Sequence, residues 1–92
     1  MKYAIQRTTQ FKKDFKAAVK RGCDISKLQT VVALLADGEV LPREYLDHEL
    51  KGKQYSGYRE CHIEPDWLLV YKITESVLVL SLYRTGTHSD LF

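Results

Sequence analysis

The chain reads as an α+β domain: an antiparallel sheet with a pair of helices packed on one face. Three observations predict this class. Apolar residues recur at helical spacing only before Gly38, strand-length apolar runs fill the part after Gly57, and the turns between those runs are too short for crossover connections. The resulting order is β-α-α-β-β-β.

The first element is "YAIQRT", where Tyr3 and Ile5 alternate with Ala4 and Gln6 as a short strand requires. The period then changes. Thr8 or Thr9 is positioned to cap a helix in which Phe11, Phe15, Ala18 and Val19 form the apolar stripe, and Gly22 ends it. Asp24 is the N-cap expected for a second helix with Ile25, Leu28, Val32 and Leu35 on one side and Gly38 at its end. The short link makes the two an antiparallel pair. Residues 39–53 keep no period and contain Pro42 and Gly52, so they read as a loop. Three strands follow: Gly57 to Ile63, Trp67 to Ile73 and Val77 to Arg84. They are joined by turns at "EPD" and "TES" that leave only antiparallel neighbours.

Ninety-two residues suffice for one domain, so residues 1–92 are expected to form a single unit. A hydrophobic content of 45% with 28% charged residues excludes disorder. The longest apolar runs, "WLLVY" and "VLVL", are far shorter than a membrane span, and "MKYAIQRTTQ" lacks a signal-peptide core, so a cytoplasmic protein is expected. Cys23 and Cys61 have neither disulfide-framework nor zinc-site spacing and read as reduced thiols. Charge is unevenly distributed. Residues 1–27 hold eight Lys or Arg against Asp14 and Asp24, a local balance of +6, and the net +2 of the chain leaves −4 for the rest. Lys12, Lys13, Lys16 and Lys20 place much of that charge on the first helix, where a solvated face and a polyanion-binding face are the two readings.

The chemistry-bearing residues lie later. His48 stands in the loop, His62 and Asp66 flank the Pro65 turn, Trp67 opens the next strand, and Arg84 and His88 lie at and beyond the end of the last. The hairpins bring this set to one edge of the sheet. Each member alone has an ordinary structural role, but three imidazoles, a carboxylate and a guanidinium together suit metal-free RNA cleavage. One group removes the proton of a ribose 2′-OH, which attacks the adjacent phosphorus. Another protonates the leaving 5′ oxygen, and the guanidinium balances charge on the phosphoryl oxygens. The product is a 2′,3′-cyclic phosphate. Trp67 and Phe92 are candidates to stack on the displaced base. A zinc or manganese site built from the same residues is disfavoured, because the spacing is HxxxD without HxH, HExxH or a cysteine ligand and Arg84 would stand beside the ion. No metal or other cofactor is expected.

"DHELKGKQYSGYRECHIEPDWLLVYKI" followed by "RTGTHSDLF" closely resembles the YafQ branch of the RelE/ParE superfamily of bacterial toxin–antitoxin toxins, from about Phe11 to Phe92. The resemblance implies a RelE-like microbial ribonuclease fold and ribosome-dependent cleavage of translated mRNA, inhibiting translation until a DinJ-like antitoxin binds. It also implies a free monomer that joins a hetero-oligomer with that antitoxin. The family's DH-x-L-x-G histidine falls on His48, its strand histidine on His62, its PDW aspartate and tryptophan on Asp66 and Trp67, its RTGTH arginine and histidine on Arg84 and His88, and its terminal aromatic on Phe92. It implies that His88 is the general acid, with His48, His62 and Asp66 sharing the base side. It also suggests ribosomal RNA as the polyanion met by the lysines of the first helix. The histidine set separates the chain from gyrase-poisoning ParE-type members. A non-catalytic module of the same fold, acting on the ribosome or another target by occupancy, is the alternative from a different class.

Overall fold

The computed structural model describes residues 1–92. Its elements are β1 (Ala4–Arg7), α1 (Thr9–Lys20), α2 (Ile25–Ala36), β2 (His48–Glu49), β3 (Tyr58–Glu64), β4 (Trp67–Thr74), β5 (Val79–Gly86) and α3 (His88–Leu91). Both helix caps form as the sequence predicts. The Thr8 side chain accepts from the Phe11 N–H at 2.9 Å, and the Asp24 carboxylate accepts from the Ser26 N–H at 3.1 Å, each filling a donor the helix cannot satisfy itself. Gly22 follows α1 at φ +80°, a left-handed conformation that only glycine adopts without strain.

The sheet order is β1-β5-β4-β3-β2. The three long strands are antiparallel neighbours, as their short turns require, while β1 joins β5 in parallel and makes the sheet mixed. That pairing follows from the helical hairpin, which carries the chain back across the sheet before the antiparallel strands begin. The loop expected over residues 39–53 contains one further strand: His48 and Glu49 pair with Glu60 and Arg59 as β2. Two residues are too few to leave a periodic signature.

Alternate positions of the strands meet the helices. Cys61, Ile63, Trp67, Leu69, Tyr71, Leu80 and Leu82 form one core with Phe11 and Ala18 of α1 and Leu28, Val31 and Leu35 of α2, so both helices lie on the same face. Two stripe assignments need correction. Val19 is 51% exposed, because Phe11, Phe15 and Ala18 already fill the contact available to α1. In α2 the buried line runs through Val31 and Ala36, with Val32 only half-buried beside it. The last strand begins two residues later than expected, since Val77 belongs to an exposed turn, and it runs on through Thr85 and Gly86. No buried side-chain nitrogen or oxygen lacks a hydrogen-bond partner. No helix is long and apolar enough to cross a membrane.

Candidate active site

The face of the sheet turned away from the helices carries the polar residues. Its register sets two rows across the strands. In the first, His48 of β2 pairs with Glu60 of β3, Glu60 with Val70 of β4, and Val70 with Arg84 of β5. At about 4.8 Å per strand spacing, His48 and Arg84 stand roughly 14 Å apart at their backbones, with an apolar floor between them. In the second row His62 pairs with Leu68 and Leu68 with Gly86, two residues before His88.

The three imidazoles are strung along this face. Ring centroids of His48 and His62 are 6.4 Å apart, and those of His62 and His88 are 5.8 Å apart. Backbone carbonyls orient two of them: His48 Nδ1–H donates to Leu46 O at 2.8 Å, and His62 Nδ1–H donates to Pro65 O at 3.2 Å. A carbonyl can only accept, so Nδ1 carries the proton in both rings and Nε2 is left as the exchangeable atom. Leu46, held at φ 50°, turns the chain so that its carbonyl reaches the His48 ring. Asp47 fixes the same segment from beneath, accepting from the Tyr71 hydroxyl at 2.7 Å and from Arg59 Nε at 3.3 Å. Burial, with the Asp47 carboxylate next in weight, pushes the Tyr71 hydroxyl far above the usual phenol range, so it stays a donor.

Glu60 joins this set from β3. Only 4% exposed, its carboxylate lies 3.5 Å from His48 Nε2 and 3.8 Å from His62 Nε2, and no Lys or Arg pairs with it. A buried carboxylate needs polar partners, and the two imidazoles are the side chains beside it. The signal was present in "RECHI": Glu60 and His62 are two residues apart in a strand and therefore share a face.

His88 is held differently. Its backbone N–H and its Nδ1 both lie against Asp66 Oδ1, at 3.3 and 3.2 Å, and these two contacts, the backbone one first, draw the Asp66 carboxyl below its ordinary range. Arg84 gives Nε and Nη2 to Asp14 of α1 at 3.0 and 3.1 Å, and the Thr85 N–H donates to the same carboxylate at 3.2 Å. Burial pushes the Asp14 carboxyl up, but the hydrogen bonds from Arg84, Gln10 and Thr85 outweigh it and the net shift is downward. Arg84 is thus a fixed cation with Nη1 outside this fork. It lines a small cavity of about 70 Å³ with Tyr55, Val70, Tyr83, Leu91 and Phe92. Phe92 is 57% exposed and meets Tyr55 edge-on with ring centroids 5.9 Å apart.

His48, His62, Asp66, Arg84, His88 and Phe92 are therefore all at or beside this open face. Trp67 is not. Only 5% exposed, it packs in the helix-covered core, its Nε1–H donates to Thr85 Oγ1 at 2.9 Å, and that hydroxyl donates to Leu68 O at 2.7 Å. The stacking role expected for Trp67 does not fit this placement, because strand alternation turns position 67 opposite to position 68. Lys12, Lys13, Lys16 and Lys20 are exposed along α1. Cys61 is fully buried and burial pushes its thiol up to about 12, so it is inert packing. No group of three or more His, Cys, Asp or Glu side chains is disposed to hold a metal ion. The imidazoles form a row and do not converge on one point.

Comparison with known proteins bears on the fold and the family. The profile of the family described as "Bacterial toxin of type II toxin-antitoxin system, YafQ" matches residues 3–92. The chain is 45% identical over 89 residues to the mRNA interferase toxin YafQ of Escherichia coli strain K12, spanning 96% of this chain and 94% of that protein. It superimposes on a chain of the crystal structure of the E. coli DinJ–YafQ complex with a TM-score of 0.90 at 44% identity, covering 98% of each. A crystal structure of a metal-bound toxin from Helicobacter pylori matches with a TM-score of 0.91 at 44% identity, over 98% of this chain and 99% of that one.

Proposed function

Because the chain belongs to the YafQ family of bacterial toxins of type II toxin–antitoxin systems, we propose that it is a cytoplasmic endoribonuclease that cuts mRNA on the translating ribosome, without a metal ion. The observation that carries the reading is the row of imidazoles ending in the Asp66–His88 pair, opposite a guanidinium fixed by Asp14.

In this mechanism the scissile phosphate lies over Val70 and Leu68, between the histidines and Arg84. The 2′-OH gives its proton to the base side, made of His48, His62 and Asp66, and its oxygen attacks phosphorus in line. His88, oriented by Asp66, delivers a proton to the leaving 5′ oxygen. Arg84 balances the charge that builds on the phosphoryl oxygens, and its anchoring by Asp14 avoids reorganisation at that moment. Glu60, 3.5 Å from His48 Nε2 and 3.8 Å from His62 Nε2, stabilises the positive charge that the base gains as it takes the proton. Phe92, with Tyr55 and Tyr83 around the same cavity, offers the stacking surface that Trp67 does not. Metal independence is supported by the disposition of the donor set: the imidazoles are strung in a row, and no three His, Cys, Asp or Glu side chains converge on one point. Activity that survives dialysis of the toxin against EDTA is the expected outcome.

The lysines of α1 supply the contact with ribosomal RNA, whose phosphates favour an exposed cationic helix face. Two of them, Lys12 and Lys16, together with Arg7, also rim an apolar groove lined by Ile5, Phe11, Phe15 and Val32. A DinJ-like antitoxin carrying an acidic amphipathic segment would fill this groove and cover the same lysines, so that antitoxin and ribosome compete. Ala33→Asp, at an exposed position of the same groove, should abolish co-purification with the antitoxin while the toxin stays folded. Retained co-purification would move the partner to another surface.

Inducible expression followed by mapping of mRNA 5′ ends tests the reading. Cuts confined to translated frames, lost with His88→Ala or Arg84→Ala, are expected. Retained growth arrest by both variants would favour the occupancy mechanism.

A further inference from the structure

The His88 segment is only four residues long, too short to hold helical structure by itself. Its order has to come from contacts, and Asp90 supplies an unusual share of them. Asp90 Oδ2 accepts from the Thr87 N–H at 2.9 Å while Thr87 Oγ1 accepts from the Asp90 N–H at 3.1 Å, a reciprocal cap around His88. The same carboxylate accepts a two-pronged bond from Arg21, Nη1 to Oδ2 at 2.6 Å and Nη2 to Oδ1 at 3.3 Å. Arg21 is the residue that ends α1, where its own N–H donates to Ala17 O. A Cβ at position 86 would lie 2.9 Å from Asp90 Oδ2, so the strand end and the carboxylate are in close approach and Gly86 leaves the necessary room.

We propose that Asp90 and Arg21 are positioning residues for the cleavage reaction: by tying the terminal helix to the end of α1, they hold His88 against Asp66 and beside His62. The proposal rests on the reading of His88 as the general acid. Neither side chain hydrogen-bonds to a histidine ring, so their effect passes through the orientation of His88. Half of the Arg21 side chain is exposed, and a pair this open adds little to global stability. Its weight falls on the docking of one short segment. A displaced acid slows the chemical step and leaves the affinity for the ribosome unchanged.

The test uses the whole toxin with ribosomes programmed with mRNA, measuring the single-turnover cleavage rate against ribosome concentration. Asp90→Ala should lower the maximal rate about tenfold with the half-saturating ribosome concentration changed less than twofold. Arg21→Ala should lower it about threefold, Arg21→Lys should recover most of that loss, and Arg21→Ala/Asp90→Ala should be no slower than Asp90→Ala, because the two residues act as one unit. The NMR signals of the His88 and Phe92 rings should shift in Asp90→Ala while core methyl signals stay in place. A maximal rate for Asp90→Ala within twofold of the unaltered toxin, with His88→Ala inactive, overturns the proposal and leaves the reading intact. Full activity of His88→Ala overturns the reading itself. An Arg21→Ala variant that binds ribosomes more weakly at an unchanged maximal rate makes Arg21 a ribosome contact and also overturns the proposal.

Discussion

Strand β3 sends Cys61 and Ile63 toward the helices and Glu60 and His62 away from them, and the two sides of the sheet it belongs to are built on different physics. On the covered side Leu69, Tyr71, Leu80 and Leu82 interlock with α1 and α2, and stability comes from apolar area removed from water. On the open side the apolar residues Leu68 and Val70 are a floor, and the side chains above it are ordered by hydrogen bonds to Leu46, Pro65, Asp66 and Asp14. The covered face supplies rigidity to the open one. Each polar side chain is aimed by a backbone whose alternate residues are locked in the core.

Substitutions on the two faces should separate accordingly. The largest effect is expected on activity: His88→Ala or Arg84→Ala should slow cleavage by about 10²–10⁴-fold, and His88→Ala should leave the melting temperature nearly unchanged, read by single-turnover cleavage and calorimetry. A fall in stability comparable to that of a core substitution would break the distinction. On the covered face Trp67→Ala should cost about 3–5 kcal/mol in denaturant unfolding. Trp67→Phe, which keeps most of the packing but removes the donor to Thr85, should cost about 1 kcal/mol and cleave normally once folded. A Trp67→Phe variant that folds well but no longer cleaves would return Trp67 to the substrate side.

Glu60 lies between the two classes, being buried but on the open face. Glu60→Gln keeps the shape and removes the charge, so cleavage should fall on the order of tenfold, about 1.4 kcal/mol in the barrier. A wild-type rate in that variant would reduce Glu60 to packing.

The smallest effect concerns pH. Asp14, Asp66 and Asp90 all have carboxyls drawn below their ordinary range in the folded protein, Asp90 chiefly by the Arg21 guanidinium. Lowered folded values mean that their stabilisation is present above the unfolded carboxyl range near 4 and is lost as the pH falls through the folded values. Amides of residues 87–92 should therefore lose hydrogen-exchange protection below about pH 4, before β3 and β4 do. Simultaneous loss in both would contradict a terminal helix held by carboxylates.

How much of this was legible in the sequence differs between the faces as well. Long elements announce themselves, and the caps at Thr8 and Asp24, the helical hairpin and the three antiparallel strands follow from period and turn residues. The parallel pairing of β1 with β5 and the two-residue β2 depend on contacts between distant segments, which no local period encodes. The sequence places His62 and Asp66 at one turn, but the fork from Arg84 to Asp14 spans 70 residues. The inward turn of Trp67 was available from alternation, since Trp67, Leu69 and Tyr71 share a face. Its position next to Asp66 drew it instead into the polar set.

That the open face is a metal-free, ribosome-dependent ribonuclease site is a proposal with a chemical signature. Its most direct test is the chemistry of the new RNA ends, made by EDTA-dialysed toxin on ribosome-bound mRNA and on the same mRNA alone. The expected result is 2′,3′-cyclic phosphate termini on the ribosome-bound message, no cuts in free mRNA, and none with His88→Ala. Termini carrying a 3′-hydroxyl, or the same cuts made by His88→Ala, would contradict it.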